Sequence, residues 1–231
     1  YGLAGDAPGI RTAARPLQVV VGTTLETVYR HPKPALYRAL APGYTAGLRM
    51  FDALVESLED PDGEERLAGP LFTLSDGKAD LLHAGTVAAS VWTRTAPAQL
   101  TAAAGKNEPC RWQAVFLGDR ILFRMDRLHT QFERAFVTFP GAWRAPGGAA
   151  RWRSVVSADG SRARPDGKVR LAAAELELPG SAWNVALVLE PPQEVAFDGS
   201  RVSFSVSARS DETWQVGFCR PGELDSFRRK R

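Results

Sequence analysis

The sequence predicts an α+β protein that is mostly β: a curled antiparallel sheet, either a barrel or a sandwich, with a short N-terminal helical region. Apolar and polar residues alternate through most of the second half of the chain, which is typical of strands with one buried face. Asp-Gly pairs separate several of these runs. One earlier stretch repeats its apolar residues at three- and four-residue steps, which favours a helix.

The alternating runs predict the strands. Their same-face apolar residues are Trp112, Ala114 and Phe116; Ile121, Phe123 and Met125; Trp183, Val185, Leu187 and Leu189; Val202, Phe204 and Val206; and Trp214, Val216 and Phe218. Further strands are predicted over residues 17–21 and 132–139. Tight turns are predicted at Gly118-Asp119 and at the Asp-Gly pairs 159–160, 166–167 and 198–199. Because Asp-Gly is preferred in two-residue hairpin loops, we expect antiparallel neighbours.

The alternation slips in one strand, between Val169 and Leu178. Val169 and Leu171 are at odd positions, whereas Leu176 and Leu178 are at even ones. A bulge near Ala173-Ala174 would return both sets to one face and would bend the strand. Because bends help a sheet to curl, this feature favours a barrel over a flat sandwich.

The predicted helix covers Tyr44 to Glu59. Its apolar stripe consists of Leu48, Phe51, Leu54, Val55 and Leu58. Asp60-Pro61-Asp62-Gly63 would end it, because proline cannot continue the hydrogen-bond ladder and glycine suits a left-handed cap. Shorter helices are predicted over residues 34–40 and 97–104.

These elements divide the chain into four parts of one globular unit. Residues 1–34 form an arm or linker rich in Gly, Ala and Pro, and residues 35–109 form a helical and mixed region packed on the sheet. Residues 110–222 form the antiparallel β core, and residues 223–231 form a basic tail.

Composition is that of an ordinary folded protein. The chain has 231 residues, of which 44% are hydrophobic and 24% charged, and this excludes wholesale disorder. A formal charge of +3 does not by itself imply nucleic acid. No apolar run approaches the roughly 18 residues of a membrane helix. The chain begins at Tyr1, so we expect a processed mature form or a trimmed chain.

The two cysteines, Cys110 and Cys219, exclude a disulfide framework and an unaided structural zinc site. We expect two separate reduced thiols rather than one bridge, because unpaired cysteine is commonly buried as a small hydrophobe. The sequence predicts neither a metal nor a cofactor.

No common catalytic fingerprint is present, so no catalytic residue is predicted and an enzyme is disfavoured. Asp80 precedes His83 by three residues and Asp126 precedes His129 likewise, but on strands or turns this spacing is as well explained by chance. His31 is expected in a surface loop. Two carboxylate pairs could serve glycosidase chemistry, or could lie on a solvated face and in an acidic turn. They are Glu175 with Glu177 and Asp211 with Glu212.

Arginines flank two tryptophans, in Trp143-Arg144 and in Arg151-Trp152-Arg153. Arg beside an aromatic ring suits stacking on bases or sugars and pairing with phosphates. Strand alternation offers a simpler interpretation, with Trp in the core and Arg on the wet face. Arg144, Arg151 and Arg153 are candidates for contact with a partner or an anion.

The chain ends in a compact basic segment, Arg228-Arg229-Lys230-Arg231, after Phe227. It could contact an anionic membrane surface, an acidic protein or nucleic acid, or it could be a frayed end whose charges aid solubility.

Three hypotheses for function follow. The first is a non-catalytic accessory or scaffold subunit whose β domain docks a protein partner. The second is a lipocalin-like binder of an apolar small molecule or lipid inside the curled sheet. Its lining would consist of Trp112, Phe116, Phe123, Trp183, Phe204 and Trp214. The third is an enzyme that acts on carbohydrate or nucleic acid.

The segment from Leu187-Val188-Leu189-Glu190-Pro191-Pro192 to Gly222 resembles the end of plastid fibrillin domains, which are lipocalin-like. The resemblance implies a curled sheet with a lipid ligand. It covers a small part of the chain, and the Gly-x-Trp entry strand of that family is not evident, so no residue or activity is carried over.

Overall fold

The computed structural model describes residues 18–20, 23–28, 36–49, 55–75, 89–93, 98–104, 110–127, 134–139, 141–165, 167–208 and 211–230. Within these residues the chain is antiparallel β-structure with one short helix. The strands are β1 (Gln18–Val20), β2 (Thr23–Val28), β3 (Leu36–Ala41), β4 (Tyr44–Arg49), β5 (Val55–Glu59), β6 (Glu65–Ala68), β7 (Thr73–Ser75), β8 (Ala89–Thr93), β9 (Ala98–Ala104), β10 (Cys110–Phe116), β11 (Arg120–Arg127), β12 (Ala135–Phe139), β13 (Arg151–Ser157), β14 (Arg162–Ala163), β15 (Lys168–Glu177), β16 (Asn184–Asp198), β17 (Arg201–Val206) and β18 (Thr213–Cys219). Helix α1 covers Leu224–Arg229.

The first six strands form a meander in which each strand pairs with the next. The β5–β6 turn shows how such a hairpin closes. Asp60 Oδ1 accepts the backbone N–H groups of Asp62 and Glu64, at 2.9 and 3.1 Å. Gly63 has φ +83°, which a residue with a Cβ rarely adopts. Asp60 Oδ2 also pairs with Arg66 Nε at 2.7 Å, so both ends of the turn are held by one buried carboxylate.

The other strands form a 12-stranded sheet that forks at β16. The first part of β16 pairs with β18, and its last part pairs with β17. One arm of the fork continues through β18, β11, β10, β9 and β8, and the other through β17, β12 and β7. On the opposite side of β16 the order is β15, β13 and β14.

Aromatic rings fill the space between the two arms. Phe72 packs edge-to-face against Phe123 and Trp214 of the first arm, with centroids 5.2 and 5.7 Å apart. It also contacts Phe139 of the second arm, and Phe204 reaches Trp214 at 6.1 Å. Burial of rings of this size supplies about 2–3 kcal/mol each, so this cluster is a major source of stability.

The fold is a sandwich-like arrangement of sheets and not a closed barrel. Residues of β4, β5 and β6 belong to the same buried cluster as the forked sheet, so the meander packs on that sheet. The expected preference for a barrel is therefore wrong. The predicted bulge is present, but the first part of β16 pairs with β18 and its last part pairs with β17. The sheet therefore divides into two arms instead of closing into a barrel.

The bulge predicted in the second half is confirmed, and so are the hairpin turns at 159–160 and 198–199. The turn predicted at 166–167 does not join paired strands, because β14 and β15 both pair with β13 and not with each other, and Asp166 is outside the described residues. The β15–β16 register shifts between Leu171 and Ala173, and Val169, Leu171, Leu176 and Leu178 all contact the main core. The Asp-Gly turn at 159–160 joins β13 to β14 and that at 198–199 joins β16 to β17. Each strand pair is antiparallel, as that turn chemistry predicts.

The predicted helix over Tyr44 to Glu59 is not supported, because β4 and β5 occupy its described part. In the β4–β5 register Gly47 pairs with Ser57 and Leu48 with Val55, so Glu56 is an extra residue on β5. This bulge places both Val55 and Leu58 in the core. Their three-residue spacing resembled a helical stripe for that reason.

The two shorter helix predictions also fall on strands. Residues 34–40 overlap β3 and residues 97–104 overlap β9, which lies between β8 and β10. Alanine favours helices by only a few tenths of a kcal/mol per residue, and pairing with two neighbouring strands outweighs that preference in β9. Among the described residues, no helix is long and apolar enough to cross a bilayer.

Candidate functional site

Helix α1 forms one side of the candidate site. Gly222, with φ +84°, turns the chain after β18, and the helix then buries Leu224 and Phe227 on the back of the forked sheet. Five further residues share that second apolar cluster: Val156, Ala173, Ala186, Val188 and Cys219. The C-terminal segment is therefore anchored by a helix rather than frayed.

Arg120, at the start of β11, holds α1 against the sheet. Its guanidinium donates to Gln215 Oε1 at 2.9 Å, to the Phe227 carbonyl at 2.6 Å and to both Asp119 carboxylate oxygens at 3.0 Å. It also lies 4.0 Å from the centroid of the Phe227 ring. The Arg120 side chain is only 3% exposed, so these partners compensate almost all of its lost hydration.

Two glycines allow the elements around α1 to approach closely. A Cβ at Gly217 would lie 2.4 Å from the Asp119 carbonyl oxygen and 2.8 Å from the Phe227 ring. A Cβ at Gly43 would lie 2.7 Å from the Asp119 Cα. The β3–β4 turn is also joined to the β10–β11 turn by a 2.8 Å bond from Gly43 N–H to the Gly118 carbonyl.

These elements enclose a cleft of about 500 Å³, termed the α1 cleft. Its lining residues are Pro42, Gly43, Pro61, Gly118, Asp119, Trp183, Phe218, Cys219, Arg220, Glu223, Ser226, Phe227 and Lys230. The lining combines aromatic rings, turn backbone and charged side chains, in a volume suited to a small ligand.

Trp183, which immediately precedes β16, is the oriented aromatic group of the α1 cleft. Its indole Nε1–H donates to Asp62 Oδ2 at 2.8 Å, and the Arg220 guanidinium lies 4.6 Å from its ring centroid. The ring is half-buried. Two contacts from separate elements therefore hold it in one orientation at the cleft wall.

The charged groups of the α1 cleft differ in how they are engaged. Asp119 is bound to Arg120 as described above. Arg220, Glu223 and Lys230 are exposed, and no ion pair joins any of them to another described residue. Two cationic side chains and one carboxylate therefore line the cleft without an ion-pair partner among the described residues.

Cys219 lies in the cleft wall but is not activated. It is a buried free thiol, and burial together with the nearby Glu175 and Glu223 carboxylates raises its pKa to about 12. A thiol with this pKa is protonated at neutral pH and is a poor nucleophile. Because Cys219 is free, the expectation of unbridged cysteines is confirmed.

Glu175 supports the cleft from behind. It is buried in β15 and accepts bonds from Asn184 Nδ2 at 2.6 Å and from the Gly222 N–H at 3.1 Å. It therefore ties β15, β16 and the turn before α1 together. Glu177 pairs instead with Arg151 and Arg153, at 2.9 and 3.2 Å. Hydrogen bonds and positive charge from these arginines lower the pKa of Glu177, and the bond from Arg151 has the largest effect. The two carboxylates are therefore engaged by different partners.

Five of the six aromatic residues predicted to line an interior ligand site belong to one buried core cluster: Trp112, Phe116, Phe123, Phe204 and Trp214. Trp183 is half-buried, packs against that cluster and also lines the α1 cleft. The indole N–H groups of Trp112 and Trp214 have no hydrogen-bond partner in the described part of the chain. An interior ligand remains a prediction.

The arginines predicted to contact a partner lie on exposed surfaces. Arg144 pairs with Glu65 at 2.8 Å, and Trp152 is buried between the exposed Arg151 and Arg153, as the alternation predicts. In α1, Arg229 Nε donates to the Asp225 carbonyl, Arg228 is half-buried, and Lys230 lines the cleft. Arg231 is outside the described residues.

Several of the remaining candidates lie outside the described residues: His31, Asp80, His83 and His129. Glu212 is buried, and its carboxylate accepts the Ser207 N–H at 2.7 Å. In the described part of the chain, no three His, Cys, Asp or Glu residues are grouped to hold a metal ion.

The sequence prediction missed the α1 cleft. Arg220 and Glu223 are not among the predicted site residues, and Trp183 is predicted to line an interior ligand site rather than this cleft. One signal was available: Leu224 and Phe227 are three residues apart, directly after Pro221-Gly222. That pattern is typical of a short amphipathic turn of helix.

No family model matches the chain, and no curated protein matches it either. Several solved structures are similar at low identity. The protein HI1317 has a TM-score of 0.49 with 7% identity, over 91% of this chain and 98% of that one. A galactose mutarotase-like protein from Clostridium acetobutylicum has a TM-score of 0.46 with 9% identity, over 86% of this chain and 98% of that one. Another galactose mutarotase-like protein, from Lactobacillus casei, has a TM-score of 0.43 with 10% identity, over 84% of this chain and 100% of that one. Similarities of this size assign neither a family nor an activity.

Proposed function

We propose that this chain is a carbohydrate-binding domain that takes a saccharide into the α1 cleft. The observation that carries the proposal is the orientation of Trp183, which Asp62 and Arg220 hold at the wall of a cleft lined with charged groups. A half-buried ring positioned in this way costs little further ordering when a ligand packs against it.

A saccharide matches this combination of groups. One face of a sugar ring is formed by C–H groups, which pack against an aromatic side chain, while its hydroxyls accept and donate hydrogen bonds around the edge. The Glu223 carboxylate, the Ser226 hydroxyl and the Arg220 guanidinium can supply these bonds from the end of β18 and from α1. Turn residues Gly43 and Gly118 also line the cleft.

The proposal is for binding rather than chemistry on the sugar. Glycoside hydrolysis uses two carboxyl groups that act as acid and as base or nucleophile. Asp119 already accepts two bonds from Arg120, and the Cys219 thiol is protonated at neutral pH. The groups of the α1 cleft are thus suited to hydrogen bonding with a ligand.

The test is to screen the purified protein on an array of neutral and acidic oligosaccharides, followed by calorimetric titration of those retained. We expect Trp183→Ala to weaken binding at least ten-fold, about 1.4 kcal/mol. Phe136→Ala is the matched control, because Phe136 is an exposed aromatic (42%) on β12 that does not line the cleft. Thermal denaturation of both variants checks that they are folded.

Two outcomes would contradict the proposal. If no saccharide on the array binds the wild-type protein, carbohydrate binding is wrong. If a saccharide binds and Trp183→Ala retains full affinity while folded, the α1 cleft is not the site.

Docking of a protein partner, the leading hypothesis from the sequence, stays a prediction. Phe136 is the one large hydrophobic residue exposed among those described. A single exposed apolar side chain is ordinary on a protein surface and does not define an interface.

A further inference from the structure

We infer that the saccharide bound in the α1 cleft is anionic, and that Arg220 and Lys230 bind its carboxylate or sulfate group. This inference rests on the proposed function. It starts from the two cationic side chains that line the cleft without an ion-pair partner among the described residues.

Arg220 is positioned for an anion by its contact with Trp183. A guanidinium that stacks on an aromatic ring keeps its N–H donors free around its perimeter, and these donors match the two oxygens of a carboxylate or sulfate. The contact at 4.6 Å restrains an otherwise flexible side chain before a ligand arrives. Arg220 is exposed, so an anion can reach it without displacing protein.

Other arginines nearby differ from Arg220 in this respect. Arg120 is saturated by Asp119, Gln215 and the Phe227 carbonyl. Arg162, which also reaches α1, pairs with Asp225 at 3.0 Å. Outside the cleft, the exposed cations Arg144, Arg151 and Arg153 each pair with a glutamate. Each of these arginines is therefore engaged by a carboxylate, whereas no ion pair joins Arg220 to another described residue.

Lys230 contributes a second positive charge from the end of α1, at the same cleft. The acidic groups near it are Asp119, which is bound to Arg120, and Glu223, which is exposed. Asp62 does not line the cleft and accepts the Trp183 indole N–H. A carboxylate brought in by a sugar would therefore meet two unpaired cations and one unpaired carboxylate. Because the cations are exposed, the attraction should weaken with added salt.

The experiment compares three acidic saccharides with their neutral counterparts by calorimetric titration. The pairs are tetragalacturonate and its fully methyl-esterified form, a hyaluronan tetrasaccharide and its methyl ester, and a chondroitin sulfate tetrasaccharide and its desulfated methyl ester. We expect at least one acidic member to bind ten-fold or more tightly than its neutral partner. The esters separate charge from shape, and the two pairs that carry only carboxylates show whether a carboxylate suffices without a sulfate.

Four variants locate the preference. Arg220→Gln should remove most of the ten-fold difference between acidic and neutral members. It should also weaken binding of the neutral saccharide somewhat, because Arg220 contacts Trp183 and lines the cleft. Arg220→Lys should restore only part of the acidic preference, because an ammonium lacks the planar fork. Lys230→Gln should reduce it about two- to five-fold, consistent with an exposed charge. Arg229→Gln is the control, an exposed arginine of the same helix that does not line the cleft.

The outcomes separate the two proposals. If neutral saccharides bind through Trp183 and no acidic member binds more tightly, the anionic preference is wrong and carbohydrate binding stands. An acidic preference that Arg220→Gln leaves unchanged also overturns the inference. If neither acidic nor neutral saccharides bind, in these pairs or on the array, the proposed function fails.

Discussion

Arg120 illustrates how one residue can connect distant parts of the chain. It lies in β11, yet its partners come from the β10–β11 turn, from β18 and from α1. A charged side chain with so little exposure would be costly if these partners were absent. Its interactions therefore make the position of α1, and with it one side of the α1 cleft, depend on the sheet.

We predict that Arg120→Leu lowers the free energy of unfolding by about 2–4 kcal/mol, because it removes every bond to Gln215 and to the Phe227 carbonyl and leaves Asp119 unpaired. Urea denaturation followed by circular dichroism measures this change. Arg153→Gln is the control and should cost less than about 1 kcal/mol, since Arg153 is an exposed partner of Glu177. Equal stability of Arg120→Leu and wild type would show that Arg120 does not anchor α1.

At the scale of elements, the strands of the second half could be predicted because local pattern and pairing agree there. Val202, Phe204 and Val206 are all buried on one face of β17, and the Asp-Gly turn before them forms as expected. In β5 the local pattern and the pairing disagree, because the extra residue Glu56 shifts the alternation of apolar and polar residues. A bulge depends on the partner strand, so its position cannot be read from one segment alone.

The contact between β18 and α1 gives a prediction at this scale. Gly217→Ala should destabilise the protein by about 2–3 kcal/mol, because the new Cβ would overlap the Asp119 carbonyl, which cannot move without shifting the β10–β11 turn. Gly118→Ala is the matched control: a Cβ there meets nothing within 4 Å and its φ is not positive. Thermal and urea denaturation compare the two variants. If both are equally stable, the close packing of α1 on β18 is not required.

At the scale of the whole molecule, the α1 cleft could not be predicted because its residues come together only in the folded chain. Pro42, Asp119, Trp183 and Lys230 belong to the β3–β4 turn, the β10–β11 turn, the start of β16 and the end of α1. Trp183 has the period-two spacing of a core residue and packs against the core, yet it precedes the strand and also lines the cleft. Periodicity indicates which residues share a face of a strand. It does not indicate which of those faces remain accessible once the sheet has forked.

The aromatic cluster between the arms predicts how the molecule unfolds. Phe72 contacts Phe123 and Trp214 of one arm and Phe139 of the other, so Phe72→Ala should create a cavity felt by both arms and cost about 3–5 kcal/mol. We expect the urea transitions followed by tryptophan fluorescence and by circular dichroism to shift together, because the two arms share this core. Phe136→Ala, on the exposed face of β12, should cost less than about 1 kcal/mol and serves as the control. Separate transitions for the two signals in the Phe72→Ala variant would show that the arms unfold independently, and the shared aromatic core would then not be what joins them.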